Sequence, residues 1–202
     1  MRGFMAVCLM GLMVSAALAQ IGNPAGMMPG TAQKEPGVPA PHQANTQDRL
    51  FAMLVAAGGL AEVDMGKVAE QKGESNAVKD FGRRMVQDHS KANDQLASLA
   101  KQAGIPLPTE PDPEHKAKRV EFEKLSGMQF DLAYLRGQVV DHQKTATLLQ
   151  WEIGFGQDGD LQQFAVATLP VVLMHLQMAQ NVLTQLSGQA PQGAAPAIAA
   201  RK

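Results

Sequence analysis

Several residue types are scarce in this sequence. Its 202 residues include one cysteine, one tryptophan and one tyrosine, and aromatic residues make up only 4%. Clusters of strand-forming residues are hard to find, whereas Ala, Leu, Val and Met are common, so the composition favours an all-α protein. Basic and acidic residues number 18 and 19, and no run of Lys or Arg exceeds two. The charge pattern therefore excludes a typical nucleic-acid-binding surface, and we expect no nucleic-acid partner.

The N-terminus has the pattern of a secretory signal. Arg2 precedes an apolar stretch over residues 4–18, and Ala17-Leu18-Ala19 provides small residues at alternate positions. This pattern predicts cleavage near Ala19 and export to the periplasm or the exterior. The stretch is shorter than the roughly 20 residues of a spanning helix, and we find no second long apolar run, so no transmembrane segment is expected. Cys8 lies in the removed part, which excludes disulfides and thiolate ligands in the mature chain.

The mature chain divides into three parts. Residues 20–47 contain five prolines and four glycines with little apolar periodicity, and residues 188–202 are also rich in Pro, Gly and Ala. Both compositions are typical of disorder, so we interpret them as a tether and a tail. The intervening residues 48–187 are long enough for one hydrophobic core.

Four segments of residues 48–187 have helical periodicity. Turn signals bound each segment, with Thr46 as the predicted N-cap of the first, a capping box of Ser126 and Gln129 in the third, and Pro170 as a kink in the fourth. The predicted segments cover about residues 48–72, 76–103, 126–154 and 158–187.

The lengths of the connections predict the topology. About three residues join the first two helices and about five join the last two, so each pair is expected to be an antiparallel hairpin. About 23 residues separate the second helix from the third, and this connection contains four prolines and a charged, potentially helical piece around residues 115–125. We therefore predict an all-α, ferritin-like four-helix bundle with one long crossover between helices 2 and 3.

Each predicted helix carries one ionisable residue on its apolar stripe. At 100° per residue, Glu62, His89, His142 and His175 fall on the stripes of the four helices in turn. Each lies near the middle of its helix, so all four are expected to meet in one layer. Three imidazoles and a carboxylate can bind one transition metal ion, with Fe, Cu and Zn as the candidates.

Two alternatives stay open for this layer. The four residues can instead form a metal-free buried polar network that fixes the helix register, in which case the protein is a structural or stress-related module of the cell envelope. If a metal does bind, Glu62 is either its fourth ligand or a hydrogen-bond partner of one histidine. The second arrangement leaves a coordination position for water or a substrate. Catalytic residues and an enzymatic activity are not predicted.

A short element occurs twice, on the second and third helices. Residues 86–91 read VQDHSK and residues 139–144 read VVDHQK, so Asp88 and Asp141 each precede a candidate ligand. Each aspartate lies about 100° round its helix and can orient a histidine of a neighbouring helix, or it can be a charge beside the buried stripe. Asp131 lies nearly three turns from His142, and we assign it to one end of the bundle.

The strongest motifs resemble one known family. Residues 78–93, 125–131, 141–145 and 168–170, together with His175-Leu176, are similar in sequence and order to the exported bacterial family called domain of unknown function 4142 (DUF4142). The resemblance covers about residues 50–186 and implies a ferritin-like fold without an established activity. The di-iron ferritin pattern requires Glu three residues before each ligating His, where this chain has Val86, Val139 and Val172. Iron storage and ferroxidase activity are therefore not expected.

Overall fold

The described part of the protein is all-helical. The computed structural model describes residues 41–189, and these contain no strand. The signal sequence predicted for residues 1–19, most of the tether over 20–47 and almost all of the tail over 188–202 lie outside the described residues. The five helices are α1 Thr46–Lys72, α2 Asn76–Gln102, α3 Pro113–Glu123, α4 Gly127–Phe155 and α5 Gly159–Gln189.

The helix ends correct two predictions about capping. Asn45, and not Thr46, caps α1: its side chain accepts from the backbone N–H of Asp48 at 2.9 Å, and Asp48 accepts from the N–H of Asn45 at 2.6 Å. Asparagine is the stronger N-cap, and the acidic residue three positions later closes the reciprocal pair. Ser126 precedes α4 as predicted, but it makes no capping hydrogen bond through its side chain, so the predicted box with Gln129 is wrong.

The four long helices pack as neighbours around a common core. Helix α1 packs against α2 and α4, and α5 packs against α2 and α4. The short helix α3 lies against α1 and α4. The backbones of α1 and α2 approach closely at Gly66 and Gly82, where an added Cβ would come within 2.8 Å of the opposite carbonyl oxygen. The two helix pairs joined by short connections, α1 with α2 and α4 with α5, are therefore packed side by side, as expected.

Two apolar clusters fill the core, one toward each end. One cluster contains Phe51, Leu96, Leu149 and Phe164, and the other contains Phe81, Met85, Phe130 and Tyr134. Between them lies a layer of buried polar side chains. The residues of this polar layer are Glu62, His89, Gln138, His142 and His175.

Buried carboxylates connect the helices at both ends. At one end Asp131 is fully buried and accepts hydrogen bonds from the backbone N–H groups of Glu74 at 3.0 Å and Ser75 at 2.8 Å. It thereby connects α4 to the turn between α1 and α2, which confirms its assignment to a bundle end. At the other end Asp48 accepts from the N–H of Gln157 at 2.8 Å and connects α1 to the turn between α4 and α5.

Helix α5 corrects the expectation that no second long apolar segment exists. Residues Gly159–Gly188 are long and apolar enough to cross a membrane by length and composition, because the helix contains an 18-residue window with a mean hydropathy of 1.3. Uncharged Gln, Thr and Asn are spread through the helix and interrupt its apolar runs, so the sequence shows no long continuous apolar stretch here. Phe164, His175 and Leu186 of the same helix are buried against the rest of the bundle. One such helix is weak support for a membrane span.

Glu152 is a buried acid without a compensating partner. It is fully buried near Asp48 and Asp158, and neither of its carboxylate oxygens has a hydrogen-bond partner among the described residues. Burial, followed by the negative charges of Asp48 and Asp158, raises the pKa of Glu152 to about 8. Glu152 therefore keeps its proton in the folded state at neutral pH.

This shifted pKa predicts a loss of stability as the pH rises. The unfolded chain releases the proton near the ordinary pKa of 4.5, whereas the folded chain holds it up to about pH 8. The contribution of Glu152 to the free energy of unfolding is therefore fully present below pH 4.5 and is lost as the pH rises through 8. Glu152→Gln cannot ionise and should be more stable than wild type by about 1–3 kcal/mol near pH 8.

Urea unfolding at acidic, neutral and mildly alkaline pH measures this effect. The same substitution at the exposed Glu70 is the matched control and should follow the wild-type profile. An equally steep decline of stability in the Glu152→Gln variant would contradict the assignment.

Candidate metal centre

Three buried histidines meet in the polar layer, one each from α2, α4 and α5. His142 and His175 are each 1% exposed and His89 is 9% exposed. Their ring centroids are 5.4–5.5 Å apart in every pairing. One ring nitrogen of each histidine lies within 4.8 Å of the corresponding atoms of the other two. The sequence placed these three residues at one level of the core, and the structure brings their rings together.

A backbone carbonyl fixes the orientation of His142. Its Nδ1 lies 3.0 Å from the carbonyl oxygen of Gln138, one turn earlier on α4. Because a carbonyl oxygen can only accept, Nδ1 must carry the hydrogen. In the neutral imidazole the Nε2 atom then has the free lone pair, and this atom has no hydrogen-bond partner among the described residues.

A carboxylate fixes the orientation of His175 from the neighbouring helix. Its Nε2 lies 2.8 Å from Oδ2 of Asp88, which also pairs with Arg84. Burial acts to raise the pKa of Asp88, but the hydrogen bonds from Arg84 and His175 outweigh it, so the pKa is lowered. The ionised carboxylate accepts the hydrogen of Nε2 and leaves the lone pair on Nδ1 of His175.

The unpaired nitrogens of the three rings fit a metal ion. Nε2 of His89, Nε2 of His142 and Nδ1 of His175 are buried without a hydrogen-bond partner in the described part of the chain. Leaving one buried polar atom unpaired costs about 1–3 kcal/mol. Metal–nitrogen bonds of about 2.0–2.1 Å in tetrahedral geometry place the nitrogens about 3.4 Å apart, so the three rings would have to move closer together to bind one ion.

The surroundings of His89 and His175 favour the form of imidazole that binds metals. Burial, followed by the charges of His142 and His175, lowers the pKa of His89 well below its ordinary value. Burial also lowers the pKa of His175, and the hydrogen bond to Asp88 opposes that shift only in part. Neutral imidazole is the metal-binding form of histidine, so these two side chains do not have to lose a proton at neutral pH.

Glu62 lies beside the group of histidines and not within it. Its Oε2 accepts a hydrogen bond from the amide of Gln138 at 2.7 Å, and its Oε1 is 3.7 Å from Nδ1 of His142. Burial raises the pKa of Glu62, although His142 and the hydrogen bond from Gln138 oppose this shift. The carboxylate thus contacts the side of the His142 ring that faces away from its unpaired nitrogen.

The two aspartates of the repeated element lie in different surroundings. Asp88 contacts His175, as one interpretation of the sequence proposed for a neighbouring helix. Asp141 instead accepts two hydrogen bonds from Nζ of Lys118 at 2.7 and 2.8 Å, and its nearest histidine is His115 at 4.0 Å. Asp141 therefore connects α4 to α3 and does not contact the three clustered histidines.

Two residues of this region were missed by the sequence reasoning. Gln138 hydrogen-bonds both Glu62 and His142, and its position four residues before His142 on the same helix face was an available signal. Lys118, which pairs with Asp141, lies on the short helix α3, where no periodic pattern predicts contacts with the other helices.

Two solved structures are similar to this chain in fold. A DUF305 fragment from Deinococcus radiodurans matches with a TM-score of 0.63 and 14% identity over 70% of this chain and 98% of that one. A two-domain protein containing DJ-1/ThiJ/PfpI-like and ferritin-like domains, from Anabaena variabilis, matches with a TM-score of 0.56 and 10% identity. That match covers 79% of this chain and 43% of the other. At these identities the likeness concerns the fold, and it supports a helical bundle.

Sequence comparison identifies the family. No curated protein sequence matches the chain significantly. The profile of the family described as "Domain of unknown function (DUF4142)" matches residues 33–182, which include all three clustered histidines. The chain therefore belongs to the DUF4142 family, as its sequence motifs indicated.

Proposed function

We propose that this protein is an exported metal-binding bundle that holds one transition metal ion between His89, His142 and His175. The observation that carries this proposal is the set of three buried, unpaired ring nitrogens from three different helices. A metal-free layer would leave all three of these ring nitrogens without a partner in an apolar interior. Binding to one cation satisfies all of them at once.

The neighbouring polar groups have defined tasks in this proposal. Asp88 holds His175 with Nδ1 toward the centre, and the carbonyl of Gln138 holds His142 with Nε2 toward the centre. Glu62 supports His142 through Gln138 and is a hydrogen-bonding residue in this proposal, not a ligand. Three imidazoles leave one coordination position open, so the bound metal, with Fe, Cu and Zn as candidates, can take a small molecule as a further ligand or change its redox state.

The proposal includes the finer topology. Four long helices, α1, α2, α4 and α5, form the ferritin-like bundle, and α3 belongs to the long crossover between α2 and α4. The packing of α3 against α1 and α4 supports this arrangement. It places every proposed ligand on a long helix and none on the crossover.

Export is the second part of the proposal. The apolar residues 4–18 and the Ala17-Leu18-Ala19 motif support it. Expressed with its full N-terminus in a bacterium, the protein should accumulate outside the cytoplasm and begin at Gln20. Fractionation and N-terminal sequencing check this, and an intact Met1 in the cytoplasmic fraction would contradict it.

Metal titration tests the centre itself. Protein purified without a His tag should bind about one equivalent of Cu, Zn or Fe. A metal present at 100 times its Kd should stabilise the fold by about 2.7 kcal/mol. His142→Gln and His175→Gln should each lose most of this stabilisation, because each removes one of three ligands. Stoichiometry by elemental analysis and the metal-dependent shift in Tm are the measurements.

His115→Gln is the matched control for these variants. His115 lies on α3, pairs with Asp112 and is outside the clustered histidines, so its replacement should leave metal binding unchanged. If wild type binds less than a tenth of an equivalent of every metal tried, or if both ligand variants respond like wild type, the layer is a metal-free polar network that fixes helix register.

The two aspartates provide a separate prediction. Asp88→Asn removes the charge that orients His175 and should weaken metal binding by about 10–100-fold. Asp141→Asn is the same substitution at the equivalent point of the repeat, but it affects the contacts with Lys118 and His115 of α3 and none with the clustered histidines. Its metal affinity should equal that of wild type. Isothermal titration of both variants measures the difference, and equal losses would show that the contact with His175 is not responsible.

A further inference from the structure

A small cavity adjoins the imidazole layer on one side. It lies about one helical turn from the layer. Asn93 follows His89 by four residues on α2, Thr145 follows His142 by three on α4, and Gly58 precedes Glu62 by four on α1. His89 and Glu62 belong both to the layer and to the cavity wall. The polar and glycine residues that line it are Gly58, Gly59, Glu62, His89, Asn93, Thr145 and Thr168.

The size of this cavity restricts what it can hold. Its volume is about 20 Å³. A single water requires about 10–15 Å³ on the same measure, so the space suits a molecule of one or two heavy atoms. Gly58 lines the cavity, and a Cβ added there would meet no atom within 4 Å, so a larger side chain at this position has room to occupy the space.

The wall of the cavity offers hydrogen bonds but no positive charge. Two threonines outside the cavity, Thr147 and Thr184, serve for comparison. Each donates a hydrogen bond from its side-chain hydroxyl to the backbone carbonyl four residues earlier, as helical threonines often do. The side chains of Thr145, Thr168 and Asn93 make no hydrogen bond within the described part of the chain. Their polar atoms remain free for a ligand. Because the lining includes a carboxyl group and no Lys or Arg, a neutral ligand is favoured over an anion.

We propose that this cavity is the ligand pocket of the metal centre and that it takes a neutral, hydrogen-bonding molecule of one or two heavy atoms, such as water or hydrogen peroxide. The proposal rests on the metal centre proposed above. In it, the fourth coordination position faces the cavity beside His89, and Thr145, Thr168 and Asn93 hold the ligand. Larger substrates are excluded by the closeness of the four helices.

Carbon monoxide binding to the Cu(I)-loaded full-length protein tests this proposal. Carbon monoxide is neutral and has two heavy atoms, and its infrared stretching band reports both binding and the polarity around it. Wild type should bind one carbon monoxide per copper. The bulkier tert-butyl isocyanide should bind at least about tenfold more weakly, as expected for a pocket too small for the added methyl groups.

Two pairs of variants locate the bound molecule. Gly58→Val fills the cavity and should weaken carbon monoxide binding by about tenfold or more. Gly154→Val, at an exposed position of α4 with open space around it, should not. Thr145→Val keeps the volume of the side chain and should shift the infrared band, whereas Thr147→Val, on the exposed face of the same helix, should leave the band in place.

The outcomes separate this inference from the proposed function. Two results overturn the pocket and leave the metal centre intact. One is copper bound at one equivalent without carbon monoxide binding, and the other is unchanged carbon monoxide affinity in Gly58→Val together with an unshifted band in Thr145→Val. Equal affinity for tert-butyl isocyanide overturns the size limit. Failure of wild type to bind copper or any other metal overturns the metal centre, and the pocket with it. If Gly58→Val does not fold, the isosteric Thr145→Val still decides.

Discussion

Three imidazole rings buried within an apolar core set the constraint on which the rest of this structure depends. A neutral imidazole has one hydrogen to donate and one lone pair to offer, and both need a partner when water is absent. His142 and His175 donate outward, to a backbone carbonyl and to a carboxylate. Their lone pairs consequently point inward, where no protein donor meets them in the described chain. The surrounding groups thus leave the centre rich in lone pairs, which is the requirement for binding a cation.

The layer divides the core without interrupting the bundle. Apolar clusters on either side supply the burial that holds the helices together. Buried carboxylates at the ends join helices through backbone N–H groups, with Asp131 at one end and Asp48 at the other. The middle of the bundle is therefore held from both sides, and its side chains need not contribute to stability. Such a division allows a site whose polar atoms are unsatisfied by the protein alone.

The repeated element on α2 and α4 shows how tertiary structure assigns roles. Asp88 and Asp141 occupy equivalent positions of the repeated element, each directly before a histidine. Helix α5 packs beside α2, so Asp88 reaches His175, whereas α3 packs beside α4, so Asp141 meets Lys118. The short helix α3 makes the difference, because it covers only one of the two equivalent positions.

The sequence by itself determined the helical class, the limits of the long helices to within a few residues, and the three histidines at one level of the core. These follow from periodicity and helix geometry, which are local properties. Only the tertiary structure decided that Glu62 contacts His142 from behind through Gln138, and that the two aspartates differ. The same holds for the buried environment that raises the pKa of Glu152. Each depends on which side chains of other helices come within a few ångströms, and helical periodicity gives the direction of a side chain but not its partner.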